Sequence, residues 1–186
     1  MCLRRFRRWW LAQTTLLLEN SHNLTAVSLV LAGWQLPVGR LHEFDIKRYR
    51  KTLHRRLNEA VGDKLVVGSL DLSVRVTGLF DFANWSAHAE LIVADADGEE
   101  IEAALRKATK KTEEVPRPLV VKPVAEPPHT FSNAINPRIK RRRGYADRKG
   151  RLRTKKVGLK ASERREAAIV LDGVRPEDLL ILRGVQ

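Results

Sequence analysis

LVVGSLDLSV (Leu65–Val74) and WSAHAELIV (Trp85–Val93) each alternate apolar with polar residues, the period-2 mark of half-buried strands. In the first run Val66, Leu70, Leu72 and Val74 share one face, and Ser69, Asp71 and Ser73 share the other. In the second, Ala87, Ala89, Leu91 and Val93 lie on one face, and His88 and Glu90 lie opposite. If both apolar faces meet one core, Asp71, His88 and Glu90 emerge together from an open sheet face. Two carboxylates and an imidazole could hold a divalent cation there. An exposed sheet face is polar in any case, so the same residues also fit a plain solvated surface.

Working outward, Leu24–Ala32 (LTAVSLVLA) alternates as a first strand and is followed by turn residues at Gly33 and Pro37–Gly39. The spacing of Ile46, Tyr49, Leu53, Leu57 and Ala60 predicts a helix from about Glu43 to Ala60, with Asp45 at its start and Gly62 at its end. Tyr49 sits on the apolar stripe and reads as a core residue. TGLFDFAN joins the two central strands as a hairpin. A second helix is expected from Glu99 to about Lys111, and a proline-flanked edge strand at Pro118–Val124. The order strand, helix, strand, strand, helix, strand is that of an α+β, ferredoxin-like (split βαβ) antiparallel sheet. Its helices would lie on one face, leaving the other open for the candidate metal site. On this reading residues 1–23 form a basic, aromatic leader and 24–125 the core. Residues 126–186 form a basic C-terminal extension whose last helix, capped by Ser162, packs on the core.

The chain of 186 residues has a net charge of +13, so a polyanionic partner is expected. Arg138–Lys160 holds twelve Lys or Arg and a single acid, Asp147. Arg138, Lys140, Arg141, Arg142, Arg143, Arg148, Lys149, Arg151, Arg153, Lys155 and Lys156 are the candidate nucleic-acid contacts. Tyr145, inside that run, could stack on a base or act as a nucleophile. Because RPEDLLILRG at Arg175–Gly184 must pack on something, the basic run reads as a loop or hairpin within the fold.

One cysteine, Cys2, excludes an intrachain disulfide framework and a Cys-based zinc site, so a reducing, cytoplasmic setting is the default. No apolar run approaches the roughly 18 residues of a membrane span, and the N-terminus lacks the pattern of a signal peptide. Arg4, Arg5, Arg7 and Arg8 with Phe6, Trp9 and Trp10 could dock on phosphates or on a lipid surface.

LHEFD at Leu41–Asp45, VVGSLDLS at Val66–Ser73, WSAHAELIV, and FSNAINPRIKRRRGYADRKGR at Phe131–Arg151 together resemble the rolling-circle replication initiators of plasmids and phages, members of the HUH endonuclease superfamily. The resemblance covers most of the chain from Leu24. It implies a ferredoxin-like core with a metal on the open face and a tyrosine that attacks a DNA phosphate. Where the family places two histidines, this chain has His88 and Glu90; with Asp71 the set implies manganese or magnesium. With Asn136-Pro137 at the family's lysine-proline, Asn133 takes the tyrosine's place, and Tyr145 becomes the candidate nucleophile. The expectation is a DNA-binding initiator relative whose nicking activity is lost or reduced. The alternatives are an active metal-dependent single-strand endonuclease and a basic RNA-binding protein.

Overall fold

The computed structural model describes residues 3–77, 82–112, 115, 117–125, 131, 134, 138–146 and 152–184. The architecture is α+β: four α-helices among the described residues and one eight-stranded mixed sheet. The elements in chain order are α1 (Leu3–Leu18), β1 (Leu24–Leu29), β2 (Gln35–Pro37), α2 (Ile46–Val61), β3 (Val66–Thr77), β4 (Phe82–Ala94), α3 (Gly98–Arg106), β5 (Leu119–Pro123), β6 (Ile139–Ala146), β7 (Leu152–Val157), α4 (Ala161–Asp172) and β8 (Leu180–Arg183).

β3 and β4 are the longest strands and the centre of the sheet, paired antiparallel from Val66↔Val93 to Thr77↔Phe82. β1 pairs antiparallel with both β4 and β5, so the spatial order of the first four long strands is β5-β1-β4-β3. Pro123 at the end of β5, and Pro118 just before it, are accommodated because β5 is an edge strand. Alternation in β3 and β4 places Val66, Leu70, Leu72, Val74, Trp85, Ala87, Ala89, Leu91 and Val93 in the main core, as their period-2 spacing requires. α2 and α3 cover that face with Tyr49, Leu53, Leu57, Ile101 and Leu105. α2 begins where Asp45 accepts the Arg48 N–H at 2.9 Å and ends at Gly62, whose φ of 57° is the left-handed conformation that suits glycine. Gly68 is needed for close approach: a Cβ there would lie 2.2 Å from the Glu90 carbonyl oxygen across the sheet.

Three expectations are corrected. The sheet is not wholly antiparallel, because β6 runs parallel to β3 from Leu72↔Ile139 to Val76↔Arg143. β8 takes the other half of the same β3 edge, antiparallel, from Val66↔Arg183 to Ser69↔Leu180. The second face is not open either. Along it the polar residues give way to Val67, Ile92 and Ala94, and these pack with Trp10 and Leu18 of α1 and with Phe131, Ala134 and Leu180. A face that turns apolar at one end needs a cover, and the apolar side of α1 supplies it. Last, α4 starts at Ala161, so Ser162 lies inside the helix rather than at its cap. The first turn is closed instead by the Glu163 carboxylate, which accepts the Lys160 N–H at 2.7 Å.

α4 is tied to the sheet through Glu166. Its carboxylate accepts the N–H groups of Gly39 (3.0 Å) and Leu41 (2.5 Å) and the indole N–H of buried Trp85 (2.9 Å).

Candidate nucleic-acid interface

The basic run forms β6, β7 and the segment between them. These strands pair antiparallel as Arg141↔Val157, Arg142↔Lys156, Arg143↔Lys155, Gly144↔Thr154, Tyr145↔Arg153 and Ala146↔Leu152. Among the described residues β6 pairs with β3 as far as Arg143, and β6 and β7 continue beyond it as a two-stranded ribbon. Parity divides its residues. Lys140 and Arg142 belong to the face of Ser73 and Arg75; Arg141, Arg143 and Tyr145 belong to the helix-covered face.

The candidate contacts therefore separate into inward and outward groups. The Lys140 ammonium turns in and lies 2.5 Å from Asp71 Oδ2. The Arg138 backbone N–H donates to Asp71 Oδ1 at 2.7 Å. Arg141 also turns in, 3.3 Å from the buried Glu163 carboxylate. Arg142 is half-buried, and Arg143, Arg153, Lys155 and Lys156 are exposed. Arg148, Lys149 and Arg151 lie outside the described residues.

On the second sheet face Asp71 stands opposite His88, and Ser69 opposite Glu90, as the two alternating stretches imply. Ser69, Asp71 and His88 are interior, and Glu90 is half-buried. Asp71 is fully buried and His88 is 2% exposed. Burial holds the Asp71 carboxyl above the usual carboxylate range, against the pull of Lys140 and the Arg138 N–H. Burial, and then the Asp71 charge, raise Glu90 as well. His88 Nε2 lies 2.7 Å from Ser73 Oγ and 3.2 Å from Arg75 Nη2. A guanidinium only donates, so Nε2 is the acceptor and the neutral ring carries its proton on Nδ1. Burial, followed by Arg75, Arg142 and Lys140, holds the imidazole well below its ordinary value. Arg75 is itself lowered to about 10 by burial and by Arg142.

These residues do not fit a divalent cation as they are arranged. The His88 Nε2 lone pair and both Asp71 oxygens are engaged by donors. A dication would also meet the charges of Arg75, Lys140 and Arg142. Among the described residues no group of three His, Cys, Asp or Glu side chains is placed to hold a metal ion.

The register does not bring Tyr145 to this group. It lies on the opposite side of the sheet, on the ribbon, and is 45% exposed. The chain's other tyrosine, Tyr49, is fully buried in the helix-side core against Trp34 and Phe44. Burial raises its phenol far above the ordinary value. Sequence reasoning missed Arg75, although it continues the alternation of Ser69, Asp71 and Ser73 by one more step. It also missed Glu163 and Glu166, whose partners come from distant segments.

One consequence is a pH dependence. The folded-state pKa of His88 is depressed below about 6.5, so on acidification the unfolded chain takes up a proton that the folded chain refuses. Stability falls as pH drops below that value, by about 1 kcal/mol per pH unit from this group. The stability difference between wild type and His88→Gln, measured by urea unfolding at pH 7 and pH 5.5, is expected to narrow at the lower pH. Equal differences at both pH values would show that the ring does not titrate in this way.

Comparison with known proteins finds no matching family model, no matching curated protein and no matching solved structure. Among the described residues no helix is long and apolar enough to cross a membrane.

Proposed function

We propose that this protein binds nucleic acid, and specifically DNA, through the β6–β7 ribbon, and that its polar sheet face does not cleave phosphodiesters. The observation that carries the reading is the ribbon itself: four exposed cations, Arg143, Arg153, Lys155 and Lys156, on two paired strands at the sheet margin. Lys and Arg held this way neutralise phosphates and release counterions, which supplies sequence-independent affinity.

The antiparallel order β5-β1-β4-β3, threaded β1–α2–β3–β4–α3–β5, supports reading the core as a split βαβ, ferredoxin-like unit. With the motif likeness to rolling-circle initiators, it supports a relative of those proteins that has kept the scaffold. Loss of nicking is favoured by two features. Cleavage needs an oxygen nucleophile in line with the phosphate and a counter-charge beside it. Neither tyrosine lies on the face of His88 and Asp71, and the lone pairs there are spent on Lys140, Arg75, Ser73 and the Arg138 N–H.

The test is fluorescence anisotropy with labelled DNA, comparing wild type with Arg143→Ala/Lys155→Ala/Lys156→Ala. The variant is expected to bind at least about tenfold more weakly, since each cation removed deletes a phosphate contact. Unchanged affinity would place the interface elsewhere, and a clear preference for RNA of matched sequence would move the reading to RNA. Incubation with supercoiled DNA and manganese is expected to give no nicked product. Nicking abolished by Tyr145→Phe would restore the enzyme reading.

A further inference from the structure

The two faces of the ribbon differ. On the helix side it carries Arg143 and Tyr145 from β6, and Lys155 and Arg153 opposite them on β7. All four are exposed. Gly144, between Arg143 and Tyr145, brings no side chain.

One side of the ribbon thus presents an aromatic ring with three cations around it. Directly opposed residues on antiparallel strands stand about 5 Å apart, so Arg153 flanks the ring from across the ribbon. The Arg143–Lys155 pair lies two residues, about 7 Å, back along the strands.

An exposed aromatic ring among cations suits an unpaired base above the ring with its phosphates on the neighbouring charges. A duplex keeps its base faces stacked inside and offers such a ring no partner, only backbone. We propose that this face docks single-stranded DNA, with one base stacked on Tyr145 and adjacent phosphates held by Arg143, Arg153 and Lys155. The proposal rests on the nucleic-acid reading above and assigns Tyr145 a stacking role.

The experiment compares full-length wild type, Tyr145→Ala and Tyr145→Phe, by anisotropy, on a labelled single-stranded oligonucleotide and on the duplex of the same sequence. Tyr145→Ala is expected to weaken single-strand binding about tenfold. Duplex binding should stay within about twofold, because phosphate contacts do not use the ring. Tyr145→Phe keeps the π-face and is expected to bind the single strand like wild type. Circular dichroism of each variant confirms that the exposed substitution leaves the fold intact. Equal single-strand affinity for wild type and Tyr145→Ala overturns the stacking proposal while leaving the ribbon reading in place. A loss in Tyr145→Phe as large as in Tyr145→Ala also overturns it, because the hydroxyl would then be the contact. Failure of wild type to bind either DNA removes the nucleic-acid reading and this proposal with it.

Discussion

Lys140→Ala is expected to lower the stability of the folded chain by about 3–5 kcal/mol, the usual cost of removing one partner of a buried ion pair. Asp71 is fully buried in the central strand β3, and the side chain of Lys140 is 13% exposed. Deleting the ammonium leaves a carboxylate whose remaining donor is the Arg138 N–H. That carboxylate can escape by taking up a proton, which gives a second signature. Its folded-state pKa is already raised above 3.8 by burial, and loss of Lys140 raises it further. The folded variant then binds a proton before the unfolded chain does, so its deficit shrinks as pH falls through the raised value. Urea unfolding at pH 7.5 and pH 5.5 is the measurement. The double variant Asp71→Asn/Lys140→Met, which removes both charges, is expected to regain much of the loss. A Lys140→Ala protein within 1 kcal/mol of wild type at pH 7.5, on the scale of an exposed pair, would show that the pair does not hold β6 to β3.

Glu166→Ala is expected to cost about 3 kcal/mol and to lower the melting temperature by about 6–12 °C. One carboxylate serves the Gly39 and Leu41 N–H groups and the Trp85 indole. Three donors from two segments, the Gly39–Leu41 loop and β4, meet one carboxylate acceptor, so its loss strands them together and loosens α4 from the sheet. Glu166→Gln keeps an oxygen but turns an NH2 toward N–H groups, so an intermediate loss is expected. Thermal unfolding followed by circular dichroism checks both. A shift under 2 °C for Glu166→Ala would mean that water replaces the carboxylate at little cost.

The central strands were legible because strand parity is a local property. Once Val66, Leu70 and Leu72 face the core, Asp71 must face the other way, and the hairpin then sets it opposite His88. The edge position of β5 followed from its prolines, and the Gly62 helix end from the left-handed turn it makes. The rest depends on distance along the chain. Lys140 looks like its neighbours in a run of cations, and only the β3–β6 register selects it for Asp71. The cover supplied by α1 was hinted at by Val67 and Ile92, apolar residues at polar-parity positions, but nothing local said what would pack on them. Strand parity made Asp71, His88 and Glu90 spatial neighbours, whereas the approach of Lys140, Arg75 and the Arg138 N–H from outside the motifs was not legible locally.

The most direct test of the account is the salt dependence of DNA binding by the full-length protein. Anisotropy titrations of a single-stranded oligonucleotide between about 50 and 200 mM salt, the range over which phosphate contacts declare themselves, give the slope of log affinity against log salt concentration. If Arg143, Arg153 and Lys155 engage phosphates of the single strand, the slope is about −2, from roughly −0.7 per neutralised phosphate. It becomes shallower by about 0.7 for each of these cations replaced. Affinity that does not change with salt, or a slope that the ribbon substitutions leave unaltered, would contradict the assignment of β6 and β7 as the nucleic-acid interface.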